Sequence, residues 1–179
     1  MKIIYSPKFF TDLRNQHLLL DCSFFIDSSS HKVEFEEFIS LCRENNITLV
    51  TIELVKAEFL KGAESTSKYD IKRDFLDDVV DSMLPVPPLV LSKQLPELVK
   101  RYGEMGKGTS IVDFMLCATL HYYQTGLFLL TKNPKDFPNT VTDLHSYFLL
   151  YNTRALQPCL VLQRKTETAP PRSDDSIPF

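Results

Sequence analysis

The chain has 179 residues and a mass of 20.6 kDa, which is the size of one globular domain. Hydrophobic residues make up 44 % and charged residues 24 %, so the composition excludes wholesale disorder and fibrous repeats. A formal charge of −3 excludes binding to duplex nucleic acid through bulk positive charge, and any nucleic-acid role must come from a local site.

Apolar runs and cysteines indicate the compartment. The first apolar run is too short for a signal peptide, and none reaches the roughly 20 residues of a membrane span. The four cysteines have no C-x-x-C or metal-ligand spacing, so we expect reduced thiols in the core. The sequence therefore predicts a cytoplasmic protein without membrane association.

The first third of the chain alternates apolar runs with amphipathic segments, the order typical of a parallel sheet. Residues 17–22 form a short apolar run that ends in an acid and a cysteine, which predicts a buried strand. A helix over residues 33–45 and a strand over residues 47–50 follow. Thr51 is the predicted N-cap of the next helix, and Gly62 its C-cap.

The rest of the chain continues this alternation less regularly. Its predicted elements are a helix over 63–83, a proline break at 85–88, a helix over 90–102, a helix over 111–124, a strand over 127–130 and a weak strand at 160–162. Ser92 is the predicted cap of the 90–102 helix, and Thr109 or Ser110 that of the 111–124 helix. We expect one α/β domain over residues 1–163 and a disordered tail over residues 164–179.

Three acids occupy unusual places in this pattern. Asp21 directly follows three leucines, Glu58 lies in the second strand–helix unit, and Asp113 lies in the first turn of an apolar helix. Ligands of open α/β sheets bind beyond the carboxyl ends of the strands, where all three side chains are expected. The turn after the strand at 127–130 adds further polar groups near this edge: Thr131, Asn133 and Asp136.

Carboxylates that converge on one crevice repel each other, and a divalent cation relieves this repulsion. Because the ligands offered are oxygen atoms, the pattern favours Mg²⁺ or Mn²⁺ over Zn²⁺. Each acid also has a structural explanation: Asp113 suits the positive end of a helix, and Glu58 a solvated helix surface. Asp21 is hardest to explain this way, because an acid buried after an apolar strand is costly unless it is paired.

Four segments together resemble the PIN domain family, and most closely the VapC-type ribonuclease toxins of bacterial toxin–antitoxin pairs. The segments, in order, are Leu20-Asp21-Cys22-Ser23, Glu58-Phe59-Leu60-Lys61-Gly62, Ser110-Ile111-Val112-Asp113-Phe114 and Leu130-Thr131-Lys132-Asn133-Pro134-Lys135-Asp136-Phe137. The resemblance covers roughly residues 17–140 and leaves the first 16 residues and the stretch after residue 140 unexplained.

The resemblance implies a three-layer α/β/α sandwich with a central parallel sheet. It implies an endoribonuclease that hydrolyses RNA phosphodiesters with a water activated by Mg²⁺ or Mn²⁺. Asp21, Glu58 and Asp113 would be its metal-binding carboxylates, with Asn133 or Asp136 at the fourth position and Ser23 and Thr131 as supporting hydroxyls. Many relatives have an acid where this chain has Asn133, which weakens the case for a second metal ion. The resemblance also implies a homodimer and an antitoxin partner that places a basic side chain in the acidic pocket.

Three lysines flank the proposed crevice and are candidates for contact with RNA phosphates: Lys61, Lys107 and Lys132. The main alternative function is a catalytically inactive PIN-like module that binds RNA or protein. A phosphatase-like site lacks its second acid, because Ser23 stands two residues after Asp21. A dinucleotide site is disfavoured, because no G-x-G-x-x-G follows the first strand.

Overall fold

The computed structural model describes residues 1–104, 108–151 and 155–166. The strands are β1 Lys2–Tyr5, β2 His17–Leu20, β3 Thr48–Thr51, β4 Ser82–Met83, β5 Leu127–Thr131, β6 Thr142–Tyr151 and β7 Leu156–Arg164. The helices are α1 Phe9–Asp12, α2 Cys22–Ser30, α3 Lys32–Glu44, α4 Glu53–Lys61, α5 Thr66–Val79, α6 Leu95–Glu104 and α7 Ile111–Tyr123. A π-helical turn, Val90–Gln94, precedes α6, and a 3₁₀ turn, Pro134–Asp136, follows β5.

One seven-stranded sheet, in the order β1-β6-β7-β5-β2-β3-β4, forms the centre of the fold. Strands β2 to β5 are parallel, with Leu20 opposite Leu130 and Thr51 opposite Met83. Leu18, Leu19 and Leu20 of β2 are fully buried, as expected for a strand covered on both faces. The predicted α/β class is therefore confirmed, although the sheet is mixed rather than wholly parallel.

The order of the strands explains the helix layers. The chain passes from β2 to β3 to β4 in one direction across the sheet, and then returns to β5 on the other side of β2. Because parallel crossovers are right-handed, α3 and α5 cover one face and α7 covers the opposite face. All four parallel strands therefore end at the same edge, and the loops and helices that follow them meet there.

Most strands of the antiparallel half of the sheet were not predicted from the sequence. Strands β6 and β7 form a long hairpin with an irregularity between Leu144 and Ser146, where only a short strand was expected. The unexplained amino-terminal segment supplies β1, which pairs with β6, and α1. Phe148 of β6 is fully buried and contacts the rings of Phe9 and Phe38. These residues join the two halves of the sheet to one hydrophobic core.

Several predicted helix ends were wrong. Thr51 is the last residue of β3 rather than a cap, because its hydroxyl donates to the Leu20 carbonyl oxygen, and Ile52 precedes α4. Ser92 lies inside the π-helical turn. Gly62 ends α4 as predicted, and Ser110 caps α7 as predicted.

Three further expectations concern the cysteines, membrane-spanning helices and the carboxyl-terminal tail. All four cysteines are free and buried, as expected. No helix in the described part of the chain is both long enough and apolar enough to cross a membrane. Arg164, the first residue of the predicted tail, is the last residue of β7, and residues 167–179 lie outside the described residues.

Candidate active site

Asp21 lies where the central strand β2 ends and α2 begins. It is 3 % exposed, and its extended backbone makes it the N-cap residue of α2. Its amide donates to the Leu130 carbonyl oxygen of β5 at 3.2 Å. The end of the parallel pair β2–β5 therefore fixes the backbone of this buried acid.

Two hydroxyl groups orient the Asp21 carboxylate. Ser23 Oγ and Thr131 Oγ1 both donate to Oδ2 at 2.7 Å. These hydroxyls accept in turn from backbone amides, Ser23 from Lys132 at 3.2 Å and Thr131 from Asn133 at 2.9 Å. Ser23 and Thr131, the hydroxyls expected to support the site, therefore both hold Oδ2 of Asp21.

Asp113 is fixed by the local sequence at the start of α7. Ser110 Oγ accepts from the Asp113 amide at 3.1 Å and donates to its Oδ2 at 2.6 Å. Thr109 Oγ1 donates to the same oxygen at 3.2 Å. Both residues that the sequence offered as caps therefore contact Asp113, although Ser110 alone caps the helix.

Glu58 projects from α4, which contacts both α2 and α7. Partial burial and the negative charges of Asp113 and Asp21 raise the pKa of Glu58. Burial raises the pKa of Asp21, with a further contribution from Asp113, although the Ser23 and Thr131 hydroxyls oppose this shift. The fold thus brings the three predicted carboxylates within electrostatic range of one another.

Cys22 lies within this group and is affected by it. Burial and the charges of Glu58 and Asp21 raise the pKa of the Cys22 thiol to about 12. The thiol is therefore protonated at neutral pH and adds no charge to the crevice.

The donor set suits a hard cation, but the side chains are not gathered around one point. Three carboxylates supply oxygen ligands, and repulsion among them adds to the effect of burial in raising the pKa values of Asp21 and Glu58. Within residues 1–104, 108–151 and 155–166, no three His, Cys, Asp or Glu side chains are close enough to hold a metal ion as they stand. Metal binding would therefore require the carboxylates to move together.

The two candidates for the fourth position lie in the turn after β5. Asn133 is exposed, and its backbone, not its amide side chain, joins the Thr131 hydrogen bond. Asp136 is half-buried, and its carbonyl oxygen accepts from the Tyr102 hydroxyl at 2.7 Å. The described contacts of this turn thus involve the backbone of both residues.

The three candidate lysines have different environments. Lys61 is exposed at the end of α4, and its charge opposes the upward shift of the Glu58 pKa. Lys132 forms an ion pair with Asp27 of α2. Lys107 lies outside the described residues. Lys61 is thus linked electrostatically to one of the three carboxylates.

Sequence reasoning missed Tyr102, which fixes the turn after β5. Its side chain is 1 % exposed, and its ring lies 4.8 Å from that of Phe114, next to Asp113. Burial raises the pKa of its hydroxyl, with the next largest contribution from Cys117 and smaller ones from Asp113 and Asp136. A tyrosine on an amphipathic helix carries no sequence signal for such a role, because its partner is a backbone carbonyl 34 residues away.

Comparison with known proteins supports the fold. No protein-family model and no curated protein sequence matches the chain. The fold is similar to a chain in a crystal structure titled VapBC2 from Rickettsia felis bound to a DNA fragment from their promoter. The TM-score is 0.57 and the identity 17 %, over 68 % of this chain and 90 % of that chain. At this identity the likeness shows the α/β fold alone.

Proposed function

We propose that this chain is a PIN-type endoribonuclease that depends on a divalent metal ion. The observation that carries this proposal is that Asp21, Glu58 and Asp113 lie within electrostatic range of one another. Ligand sites of open α/β sheets lie at the carboxyl edge of the parallel strands. The sequence resemblance to the PIN family assigns the same three acids to metal binding.

The energetic cost of the arrangement also favours a functional role. Asp21 is buried beside acids rather than beside a basic side chain, and burial opposes its ionised form. Repulsion from Asp113 adds to this cost, and a metal ion would remove it. A structural role would be served better by a neutral side chain that accepts the same two hydroxyl hydrogen bonds.

Each carboxylate, together with Lys61, would have a separate role in the proposed reaction. Asp21, which is held at Oδ2 by two hydroxyls, would be one carboxylate ligand of a metal ion. Asp113 is oriented by Ser110 and Thr109, and Glu58 completes the oxygen ligands or positions the attacking water. Bound Mg²⁺ or Mn²⁺ would lower the pKa of a water molecule and neutralise charge on the phosphoryl oxygens. Lys61 would meet the phosphate of the RNA strand next to Glu58.

A toxin–antitoxin role is the finer form of this proposal. It rests on the VapC-like motifs and on the fold shared with the VapBC2 chain. An antitoxin would inhibit the enzyme by placing an Arg or Lys side chain among the three carboxylates, which favour a cation. Such a side chain would compete with the metal ion, so inhibition should weaken as the Mg²⁺ or Mn²⁺ concentration rises.

The test is cleavage of single-stranded RNA by the full chain with Mg²⁺, with Mn²⁺ and with EDTA. Three proteins are compared: the wild type, Asp21→Asn and Asp12→Asn. Asn keeps an acceptor for Ser23 and Thr131 but removes the charge, and Asp12 is an exposed acid outside the site. We expect metal-dependent cleavage by the wild type and by Asp12→Asn, and none by Asp21→Asn.

Cleavage that persists in EDTA or in Asp21→Asn would contradict the proposed site. An absence of both metal binding, measured by calorimetry, and cleavage would favour the inactive binding module. Because cleavage also needs a suitable RNA, the assay uses a pool of random single-stranded RNA and reports any fragmentation.

A further inference from the structure

Two neighbouring cavities lie at the edge of the sheet opposite to the three carboxylates. One has a volume of about 290 Å³ and is lined by residues of the π-helical turn and α6 and by the ends of α7 and β7. The other has a volume of about 450 Å³ and is lined by residues that precede β2 and begin β5, together with the end of β7. Gln124 and Arg164 line both, so the cavities share a wall. We call the first the basic cavity and the second the edge cavity.

The directions of β5 and α7 separate these cavities from the candidate active site. Strand β5 runs from Leu127, which lines the edge cavity, to Thr131, whose hydroxyl holds Asp21. A strand of five residues spans roughly 13 Å between its first and last Cα atoms. Helix α7 likewise has Asp113 in its first turn and ends just before Gln124. A ligand in the two cavities would therefore lie away from the carboxylates.

The basic cavity concentrates positive charge in a chain whose formal charge is −3. Its charged lining residues are four bases and one acid: Lys93, Arg101, Arg164, Lys165 and Glu97. Glu97 is paired with Arg101 at 2.6 Å, and Lys165 lies 3.8 Å from Asp143. In the described part of the chain, Lys93 and Arg164 form no ion pair. An anion in this cavity would therefore meet two basic side chains that have no acidic partner of their own.

Arg164 provides the strongest evidence for a bound anion. It is the last residue of β7 and is half-buried. Its Nε atom is buried and has no hydrogen-bond partner among the described residues. A buried charged donor without a partner is costly, and an anion that accepts from it would remove that cost. The planar guanidinium also presents its donors as a fork that fits two oxygens of a phosphate group.

His121 responds to the positive charge of the basic cavity. Burial lowers the pKa of its ring, and the charges of Arg164 and Arg101 lower it further, although the Val141 carbonyl oxygen and Glu97 oppose this shift. The ring is therefore neutral at pH 7, and Nε2 donates to the Val141 carbonyl oxygen at 2.8 Å. The positive charge of the cavity thus comes from its arginine and lysine side chains.

The edge cavity has a different lining. Arg164, at the shared wall, is its one charged residue among the described residues that line it. The lining also contains an aromatic residue, Phe128, and two half-buried amides, Gln16 and Gln163. Aromatic side chains bind flat rings, and amide side chains both donate and accept hydrogen bonds at the edges of such rings. A heterocyclic base matches this combination better than a second anion does.

We propose that the two cavities together bind a nucleoside monophosphate, with its phosphate in the basic cavity and its base in the edge cavity. A phosphate monoester carries a charge of about −1.5 to −2 at neutral pH, which suits Lys93 and Arg164. Arg164 lines both cavities and would contact the phosphate where it joins the rest of the nucleotide. The inference does not depend on the cleavage reaction, and its test needs neither RNA nor a metal ion.

The test is calorimetric titration of the full chain with AMP, CMP, GMP and UMP, each separately, and with inorganic phosphate. EDTA is present throughout, so that no metal ion can join a phosphate to the carboxylates. We expect at least one nucleotide to bind, and to bind about tenfold tighter than inorganic phosphate, because only the nucleotide also fills the edge cavity.

Substitutions then locate the bound nucleotide. Arg164→Gln keeps much of the side chain but removes its charge, and it should weaken binding by about tenfold or more. Lys93→Gln, at an exposed residue of the π-helical turn, should weaken it in the same direction. The matched control is Arg73→Gln on α5, because Arg73 is paired with Asp70 and Asp74 outside both cavities. It should bind the nucleotide as the wild type does.

An absence of binding by all four nucleotides would overturn the proposal. So would equal affinities for the nucleotide and inorganic phosphate, or an affinity that both Arg164→Gln and Lys93→Gln leave unchanged. An equal loss in Arg73→Gln would show that the effect is one of overall charge and not of the cavities. Circular dichroism checks that each variant is folded, and Lys93→Gln keeps the test decisive if Arg164→Gln is not. Asp21→Asn should bind the nucleotide normally, and a loss there would place the nucleotide at the carboxylates instead.

Discussion

The parallel strands β2 to β5 and the antiparallel strands β1, β6 and β7 form one sheet but serve different purposes. The parallel half ends at an edge where Asp21, Glu58 and Asp113 concentrate negative charge. The antiparallel half buries aromatic rings on one face and exposes neutral apolar side chains on the other. The parallel half thus holds the three mutually repelling carboxylates. Aromatic packing in the antiparallel half helps to stabilise the fold.

This division follows from how strands end. Parallel strands all finish at one edge, so side chains just past their ends converge there. A hairpin runs in both directions, so its ends do not converge, and its alternating side chains favour packing instead. Stability and chemistry should therefore respond separately to mutation in the two halves, and four experiments test this separation.

Phe148→Ala should have the largest effect on stability. The ring is fully buried and lies 5.1 Å from the ring of Phe38 and 5.7 Å from that of Phe9. Removing a buried phenyl ring costs about 3–5 kcal/mol in the free energy of unfolding. Urea denaturation measures this loss. The control is Tyr69→Ala, an aromatic residue 42 % exposed on α5, for which a change below about 0.5 kcal/mol is expected. Equal losses would contradict the packing role of the antiparallel half.

Asp113→Asn should leave the fold intact and remove activity. Asn still accepts from Ser110 and Thr109, so the start of α7 is preserved. The loss of its charge should lower the cleavage rate by about 100–1,000-fold, the range seen when one transition-state contact is removed. Asp143→Asn, in the antiparallel half, removes a charge that pairs with Lys165 at 3.8 Å. Its rate should stay within about twofold of the wild type, since this acid lies outside the edge.

Local sequence patterns explain which site residues of the parallel half could be predicted. Asp21 was predictable because an acid directly after three leucines is costly without a role. Ser110 was predictable because an N-cap serine acts on the amide three residues ahead. The spacing of strands and helices then placed both residues at one edge of the sheet.

Long-range pairing explains what the sequence did not show. Residues 147–151 are five consecutive apolar residues without alternation, a run that fits a buried helix as well as a strand, although alternate members are buried in β6. Strand β1 depends on partners such as Tyr151, which is far away in the chain. Thr51 resembled a helix cap, but its hydroxyl bonds to Leu20 of the neighbouring strand. No local pattern encodes such partners.

Asp21→Asn should stabilise the protein at neutral pH. The raised pKa of Asp21 means that the folded chain binds this proton more tightly than the unfolded chain. Stability from this group is therefore full below the unfolded pKa, about 4, and is lost as the pH rises through the folded pKa. Asn removes that loss, so the Tm of Asp21→Asn at pH 7 should exceed the wild-type value. The expected increase is about 2–4 °C for each kcal/mol gained in the free energy of unfolding.

Two further measurements sharpen this result. The difference in Tm between Asp21→Asn and the wild type should narrow as the pH falls below about 4, where the wild-type carboxyl becomes protonated in both states. Mg²⁺ should raise the Tm of the wild type more than that of Asp21→Asn, because only the wild type gains from neutralised repulsion. A variant less stable than the wild type at pH 7 would show that Asp21 is a structural acid.

The smallest expected effects are those of substitutions at Ser110, which distinguish its two roles. Its hydroxyl caps α7 and also orients Asp113. Ser110→Ala should cost about 1 kcal/mol of unfolding free energy, whereas Ser110→Gly should cost only a few tenths, since Gly is a tolerated cap residue. Both variants lose the same hydrogen bond to Asp113, so their cleavage rates should fall by a similar factor, about tenfold. Cleavage rates that instead follow the two stabilities would mean that the hydroxyl acts through the helix alone. Equal cleavage rates of the two variants despite their unequal stabilities would show that the Ser110 hydroxyl acts through the Asp113 carboxylate. That carboxylate belongs to the negative charge at the edge of the parallel half.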